Sequence, residues 1–265
     1  MPEGHTIHRL ARDHTPLLVG RPVSASSPQG RFATGAALLS GRVVERIEPY
    51  GKHLFYGFEG DALLHVHLGL YGAFVGGIGP GPEPKGALRL RMTTDEHWVD
   101  LRGPTACEVF APHERDAVVA RLGPDPLRRD ADANLAWARL SRTKRTVGEL
   151  LMDQSVLAGV GNVYRAEVLY RAALSPFRPG RDVPREVWDG MWSDLRTLMR
   201  AGVRAGHIVT TERADRDRRS GPPRREDRFY VYRRHELPCH RCGTPVRTQV
   251  MAGRNLFWCP ACQPG

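Results

Sequence analysis

The sequence predicts an α+β multidomain chain, and three observations carry that expectation. Apolar residues recur at helical spacing just after the N-terminus and again over much of residues 135–205. Between these stretches, from Pro22 to about Val109, short apolar runs are punctuated by Gly and Pro, the pattern of a β-sandwich or barrel. The chain then closes on Cys239-x-x-Cys242 and Cys259-x-x-Cys262, a spacing suited to metal-binding knuckles. Its 265 residues suffice for about two domains with ample core.

The first residues are Met1-Pro2-Glu3-Gly4. Removal of Met1 would expose Pro2 as a secondary amine beside the Glu3 carboxylate. A terminal amine has a reference pKa of about 7.7–8.0, so part of it is unprotonated near neutrality. Such an amine can attack an electrophilic carbon and proceed to an iminium. The plainer reading is that Pro2 permits Met1 removal and opens a helix, where proline fits the first turn. Ile7, Leu10, Ala11 and Leu17 or Leu18 mark one amphipathic helix ending near Val19-Gly20. Glu3 at its start suits the positive end of the helix dipole.

Candidate strands follow at Val43–Ile47, His53–Phe58, Ala62–His67, Ala73–Val75, Leu88–Met92, His97–Asp100 and Ala106–Phe110. Gly76–Gly86 is a loop by composition. Arg121–Asp132 carries two prolines, a glycine and mixed charge, and marks a domain boundary. The expected division is 1–124 for helix and sandwich, 125–134 for a linker, 135–228 for a helical domain and 229–265 for the cysteine hairpin. Leu135–Leu140, Thr146–Met152, Asn162–Ala172 and Pro184–Ala205 read as helices, with Asp153–Gly161 as a tight turn. Thr211–Arg228 is dense in Arg and Asp with almost no aliphatic residue, and is expected to be a mobile loop.

Lys and Arg number 39 against 29 Asp and Glu, a formal charge of +10. That excess points to a polyanionic partner, nucleic acid foremost, without separating DNA from RNA or an acidic protein. The low mean hydropathy of −0.41 and the lack of any spanning-length apolar stretch argue against a helical membrane protein. With no apolar signal-peptide core at the N-terminus, a cytosolic location is expected.

The two cysteine pairs can share one tetrahedral Zn²⁺ as a closed structural site. Gly243 and Pro260 suit the knuckle turns, and neither CxxC lies in a thioredoxin-like context. His240 is a ligand by type, but four thiolates leave no vacancy. Cys107 stands among apolar neighbours and reads as core. Between the pairs, Pro245–Trp258 reads as a β-hairpin turning near Ala252-Gly253, with Arg254 at or just after the turn. Arg254 is either a solvated hairpin arginine or a guanidinium presented to a phosphate, and spacing leaves both open.

Three features together make the chain resemble the formamidopyrimidine-DNA glycosylase/endonuclease VIII family, end to end and in the same order. They are MPEG at the start, Gly159-Val160-Gly161-Asn162-Val163-Tyr164-x-x-Glu167, and a hairpin in which Gly253-Arg254 precedes Trp258-Cys259-Pro260-x-Cys262-Gln263. MPEG, Gly51-Lys52 and Leu70-Tyr71-Gly72 look closer to endonuclease VIII. The resemblance implies an N-terminal helix plus a two-layered β-sandwich. It also implies a C-terminal helical domain with a helix–two-turns–helix element and a four-cysteine zinc-finger β-hairpin holding one structural zinc. Damaged duplex DNA would lie in a cleft between the domains, single-stranded substrates stay open, and a monomer is the family's default. The implied activity is base-excision repair: removal of oxidised bases, mainly pyrimidines, then strand nicking by β,δ-elimination.

On that resemblance Pro2 attacks C1′ of a flipped-out nucleotide, and Glu3 shuttles protons, first to the sugar ring oxygen. Lys52 matches a β-hairpin lysine that holds a phosphate or stabilises developing charge, the alternative being an ordinary solvated lysine. Arg254 matches the finger arginine that grips phosphates flanking the lesion and assists elimination. Asn162 matches the asparagine whose amide, with backbone N–H groups at a helix start, suits a phosphate. Arg121 matches a DNA-contacting arginine near the domain junction. Leu70 and Tyr71 form a loop tip that fills the gap left by the flipped base, stacking being worth about 1–3 kcal/mol per base. The alternative places both in a core strand.

Gly69 departs from the endonuclease VIII pattern, which has a polar residue, often Gln, reading the opposite strand. That leaves opposite-base preference open. Thr211–Arg228 would shape part of the lesion pocket. His65 and His67 share a strand face, where hydrogen-bonded or DNA-proximal roles are preferred to metal binding; His5 lies close to Pro2. Two rival classes remain: a non-catalytic damaged-DNA-binding protein of the same fold, and a tautomerase-like enzyme using terminal proline. Intact Pro2, Glu3 and Lys52 argue against the first, and the zinc hairpin against the second.

Overall fold

In the computed structural model, residues 2–216 and 220–265 are described, and the chain divides into two compact units, Met1–Arg121 and Leu122–Gly265. The first unit opens with α1 (Gly4–Leu18), whose Ile7, Ala11, His14 and Leu18 are buried at the three- and four-residue spacing of one helix face. Glu3 is its N-cap, and the Glu3 backbone N–H donates to Thr6 Oγ1 at 3.4 Å.

Two four-stranded antiparallel sheets follow. The strands are β1 (Ser24–Ser26), β2 (Val44–Tyr50), β3 (His53–Phe58), β4 (Leu63–His67), β5 (Ala73–Ile78), β6 (Leu88–Thr93), β7 (His97–Arg102) and β8 (Ala106–Phe110). Their orders are β1-β6-β7-β5 and β2-β3-β4-β8. One core cluster joins Leu54, Tyr56, Val66, Met92, Val99 and Leu101 to Ile7 and Leu18 of α1. Alternation along β3 and β4 puts Leu54, Tyr56, Leu64 and Val66 into this core and turns His53, Phe55, His65 and His67 to the opposite face. Cys107 is buried in the core, where desolvation pushes its thiol pKa up to about 12.

Three elements were not legible locally. The β1 strand is only Ser-Ala-Ser, α2 (Ala33–Leu39) is too short for a periodic pattern, and α3 (Pro112–Ala120) buries no residue fully. The loop expected from Gly76 onward begins later, because β5 runs through Gly76 and Gly77 to Ile78, paired with Val99, Trp98 and His97. A Cβ at Gly76 would stand 2.8 Å from the Trp98 carbonyl oxygen. The glycine therefore permits a close strand approach there, which composition alone mistakes for a loop.

The second unit contains α4 (Ala133–Leu140), α5 (Val147–Leu150), α6 (Asn162–Arg171), α7 (Arg185–Ala205), β9 (Arg247–Met251) and β10 (Arg254–Trp258). Thr146 and Glu149 form a reciprocal cap on α5, each backbone N–H donating to the other's side chain. All of Asn162–Tyr170 is buried, so α6 is the central rod, packed among Trp188, Leu195 and Met199 of α7 and Val246 and Phe257 of the hairpin segment. Gly123 and Pro124 bond Gln154 and Ala158 backbone atoms, and Asp125 is fully buried, so these residues belong to this unit.

Asp217–Arg219, within the segment expected to be mobile, lie outside the described residues. The segment's two ends are held in place rather than loose. Arg213–Asp215 and Glu226–Arg228 form 3-10 turns, and Thr211 and Asp227 are buried. Polar bonds do this without aliphatic burial: Thr211 Oγ1 donates to Asp227 O at 2.5 Å, and the Tyr230 hydroxyl to Asp215 Oδ2 at 2.6 Å.

Candidate active site and metal centre

Of the residues expected to act, Pro2, Glu3, Lys52, Leu70, Tyr71 and Arg121 lie in the first unit. Asn162, Arg254 and the four cysteines lie in the second. Pro2 is half-buried at the start of α1, and Glu3 beside it has no exposed surface. His5 is also buried, its Nε2 3.4 Å from Thr6 Oγ1. A rigid helix thus carries a partly accessible amine position next to an enclosed carboxyl group.

Lys52 sits in the two-residue turn between β2 and β3, with Tyr50 paired to His53 and Gly51 at φ +57°. Glycine at the first turn position is what a tight hairpin of this kind requires. Behind the turn lies a row of imidazoles. His53 Nδ1 is 2.9 Å from His65 Nε2, and His65 Nδ1 is 3.3 Å from Glu108 Oε2. Burial is the main cause that pushes His53 down to about 3, with His65, His67, Arg121 and Lys52 each adding a repulsive push. Lys52 and Arg121 therefore stand near the same imidazole. His65 and His67 are also shifted down, first by burial, so the row is neutral near pH 7 and binds within itself.

Leu68 is buried, and the chain then turns sharply, Gly72 N–H donating to Leu68 O at 2.9 Å. The turn leaves Leu70 42% and Tyr71 89% exposed, so neither is a core strand residue. Gly69, where the pattern departs from endonuclease VIII, has φ +65°, and a Cβ there would come within 1.9 Å of Thr105 Oγ1. Thr105 fills the space that a longer side chain at this position would enter.

In the second unit, α5 and α6 flank turns organised by Gln154. Its Nε2 donates to Val160 O at 2.9 Å, and its Oε1 accepts from Gly159 N–H at 3.0 Å. Asn162 begins α6, and its amide is already engaged. Nδ2 donates to Asn255 O at 2.9 Å, and Oδ1 accepts from the Arg165 guanidinium. Arg165, fully buried, also donates to Met251 O at 3.1 Å. Ala252 and Gly253 both take positive φ, the hairpin turn expected there, and β10 opens on the exposed Arg254. Arg145, Arg254, Glu149 and Asp153 line a cavity of about 260 Å³ beside that turn.

The four cysteine sulfurs lie within 4.8 Å of one another, the only such group among the described residues. Cys239 and Cys262 sulfurs are 3.9 Å apart, and those of Cys242 and Cys259 are 3.5 Å apart. Four sulfurs at about 2.3 Å from a tetrahedral Zn²⁺ would be about 3.8 Å apart, so the donor set fits zinc in geometry and in softness. Hydrogen bonding from Thr244 holds the Cys242 thiol down to about 6, whereas burial raises Cys259 and Cys262. A bound dication offsets that burial by favouring all four thiolates.

Two functional-looking residues escaped the sequence reading. Arg165 has a local trace in its i, i+3 spacing from Asn162. Glu167 closes the recognised motif but had no assigned role; it is fully buried and accepts from Thr210 Oγ1 and the N–H groups of Tyr230, Val231 and Tyr232. No helix among the described residues is long and apolar enough to cross a membrane.

Comparison with known proteins supports one assignment along the whole chain. The family model of the formamidopyrimidine-DNA glycosylase N-terminal domain matches residues 1–107, and that of the formamidopyrimidine-DNA glycosylase H2TH domain residues 122–214. The zinc finger found in FPG and IleRS matches residues 236–265. Endonuclease 8 1 of Mycobacterium tuberculosis (strain CDC 1551 / Oshkosh) is 52% identical over 268 residues, spanning 99% of this chain and 100% of that one. The crystal structure of the MutM (Fpg) protein from Thermus thermophilus is similar at TM-score 0.79 and 30% identity, over 99% of this chain and 98% of that chain. A complex of Lactococcus lactis Fpg with abasic-site DNA shares the fold at TM-score 0.82 and 20% identity, over 99% and 100% of the two chains.

Proposed function

The chain belongs to the formamidopyrimidine-DNA glycosylase/endonuclease VIII family of DNA glycosylase/AP lyases, and from that premise we propose that it excises oxidised bases, mainly pyrimidines, and nicks the strand by β,δ-elimination. The observation that carries this reading is Pro2-Glu3 at the head of a helix packed into the core along one face, with Glu3 itself enclosed. After removal of Met1, the Pro2 nitrogen bonds C1′ as the C1′–base bond breaks. Glu3 delivers a proton to the ring oxygen, and the sugar opens to an iminium. A secondary amine can form only a charged iminium, which acidifies the C2′–H. Loss of that proton expels the 3′ phosphate, and a second elimination expels the 5′ phosphate.

Lys52 and Arg121, beside the neutral imidazole row, serve as phosphate contacts, as do Arg254 and the start of α6 at Asn162. Asn162 works there by holding the hairpin that carries Arg254, through its bond to Asn255 O. Tyr71 and Leu70, exposed at a loop tip, occupy the space vacated by the flipped base. Cys239, Cys242, Cys259 and Cys262 hold one zinc, which stiffens the hairpin and supplies no chemistry to the reaction. The substrate is damaged DNA, duplex or single-stranded, acted on by a monomer in the cytoplasm.

Borohydride trapping on DNA with an abasic site or an oxidised pyrimidine tests the reading. A covalent adduct is expected from the Met1-processed protein, a diminished one from Pro2→Gly, and none from protein with a tag fused ahead of Pro2. Salt-sensitive binding without any adduct or cleavage would favour the non-catalytic DNA-binding alternative.

A further inference from the structure

Helix α6 grips the cysteine hairpin at both of its ends. At its start, Asn162 and Arg165 bond the backbone at Asn255 and Met251. Toward its end, the buried Tyr170 places its hydroxyl 3.0 Å from Cys239 Sγ and 3.9 Å from Cys262 Sγ. The Tyr170 ring is fixed by stacking on Tyr230, centroids 4.7 Å apart and planes at 25°. Arg241, between the first two cysteines, lies over both rings, 4.8 Å from Tyr230 and 5.5 Å from Tyr170, and bonds Asp215 Oδ2 at 3.0 Å.

A thiolate bound to zinc has no proton to give, so in the metal-loaded protein the phenol hydroxyl must be the donor. A hydrogen bond to a ligand sulfur withdraws electron density from it, lowers its reactivity toward competing electrophiles and fixes its direction. Loss of such outer partners costs about 10–100-fold in metal affinity. We propose that Tyr170 is a positioning residue for the metal centre, its O–H···S bond to Cys239 setting how tightly zinc is held. The proposal rests on the reading of the four cysteines as a zinc site and is independent of the base-excision chemistry. Because α6 also carries Asn162 and Arg165, one helix orders the metal end and the turn end of the hairpin together.

The test compares the full-length wild type with Tyr170→Phe, which keeps the stacked ring and loses only the hydroxyl. Zinc content is measured first, then the rate of zinc transfer to the chelating dye 4-(2-pyridylazo)resorcinol at neutral pH. Equal zinc content and about 10-fold faster transfer from Tyr170→Phe are expected. The sulfur-to-metal charge-transfer band of cobalt-substituted protein should shift as well. Tyr230→Phe, which removes the neighbouring hydroxyl bonded to Asp215, should leave transfer unchanged. Transfer from Tyr170→Phe within about twofold of wild type, or equal acceleration by Tyr230→Phe, would overturn the assignment of Tyr170. A wild-type protein carrying no zinc would instead overturn the metal-site reading beneath it.

Discussion

Replacing Glu167 by Ala strands three buried backbone N–H donors at once, while the Thr210 hydroxyl can turn to Arg228 O at 3.1 Å. Its Oε2 accepts from the Thr210 hydroxyl and, at 2.8 Å, from Tyr230 N–H; its Oε1 accepts from Val231 N–H at 2.9 Å and Tyr232 N–H at 2.8 Å. A stranded buried donor costs about 1–3 kcal/mol, so three give at least about 3 kcal/mol. At about 2–4 °C per kcal/mol for a chain of this size, the melting temperature should fall by at least about 6–12 °C. Glu167→Gln keeps the volume and one carbonyl oxygen, which can still serve Val231 and Tyr232. Its amide nitrogen faces Tyr230 N–H, which is left unserved, so about a third of the loss is expected. Differential scanning calorimetry with urea melts of both variants measures the series. A fall below about 3 °C for Glu167→Ala, or a Gln variant no better than Ala, would refute the clamp.

Three further outcomes follow from other positions. Burial pushes the His14 pKa from 6.5 down to about 4, so as pH falls through that window the unfolded chain takes up a proton that the folded chain refuses. Stability should then drop by about 3 kcal/mol between pH 6.5 and 4, and His14→Gln, which can still bond Tyr56, should flatten that slope in urea melts. Gly123→Ala would bring a Cβ to 2.4 Å from the Val156 carbonyl group, and a backbone neighbour cannot swing aside. A loss of about 1–3 kcal/mol by chemical denaturation is expected, while Gly190→Ala, with open space around its Cβ and a helical site, should not destabilise. Tyr71→Ala should leave the melting temperature unchanged, since the ring is exposed, but lower kcat/KM on duplex DNA by about 5–150-fold if stacking is worth about 1–3 kcal/mol; an unchanged kcat/KM would rule out the loop-tip role.

Side-chain period is a local property, so α1, α7, β3 and β8 could be read directly from spacing. The β5 glycines could not, because their role depends on how closely Trp98 approaches from another strand. The ends of Thr211–Arg228 looked too polar to order, and side-chain hydrogen bonds from Thr211 and Tyr230 order them without aliphatic burial. Among candidate site residues, the four cysteines were the most legible, since their spacing is itself the ligand geometry. Arg165 and Glu167 were the least legible. Charged residues on a helix usually face water, and their partners here stand 86 and 63 positions away along the chain.

The sequence by itself determined the order of the longer elements, the family resemblance, the cysteine donor set and the terminal Pro2-Glu3 pair, all of which are short-range patterns. Tertiary structure alone decided that Glu3 is enclosed, that Tyr71 projects, and that the Asn162 amide is spent on the hairpin. It also decided that Tyr170 meets the Cys239 and Cys262 sulfurs. Burial and hydrogen bonding between segments far apart in sequence are consequences of packing, and packing leaves no periodic trace in the residues it brings together.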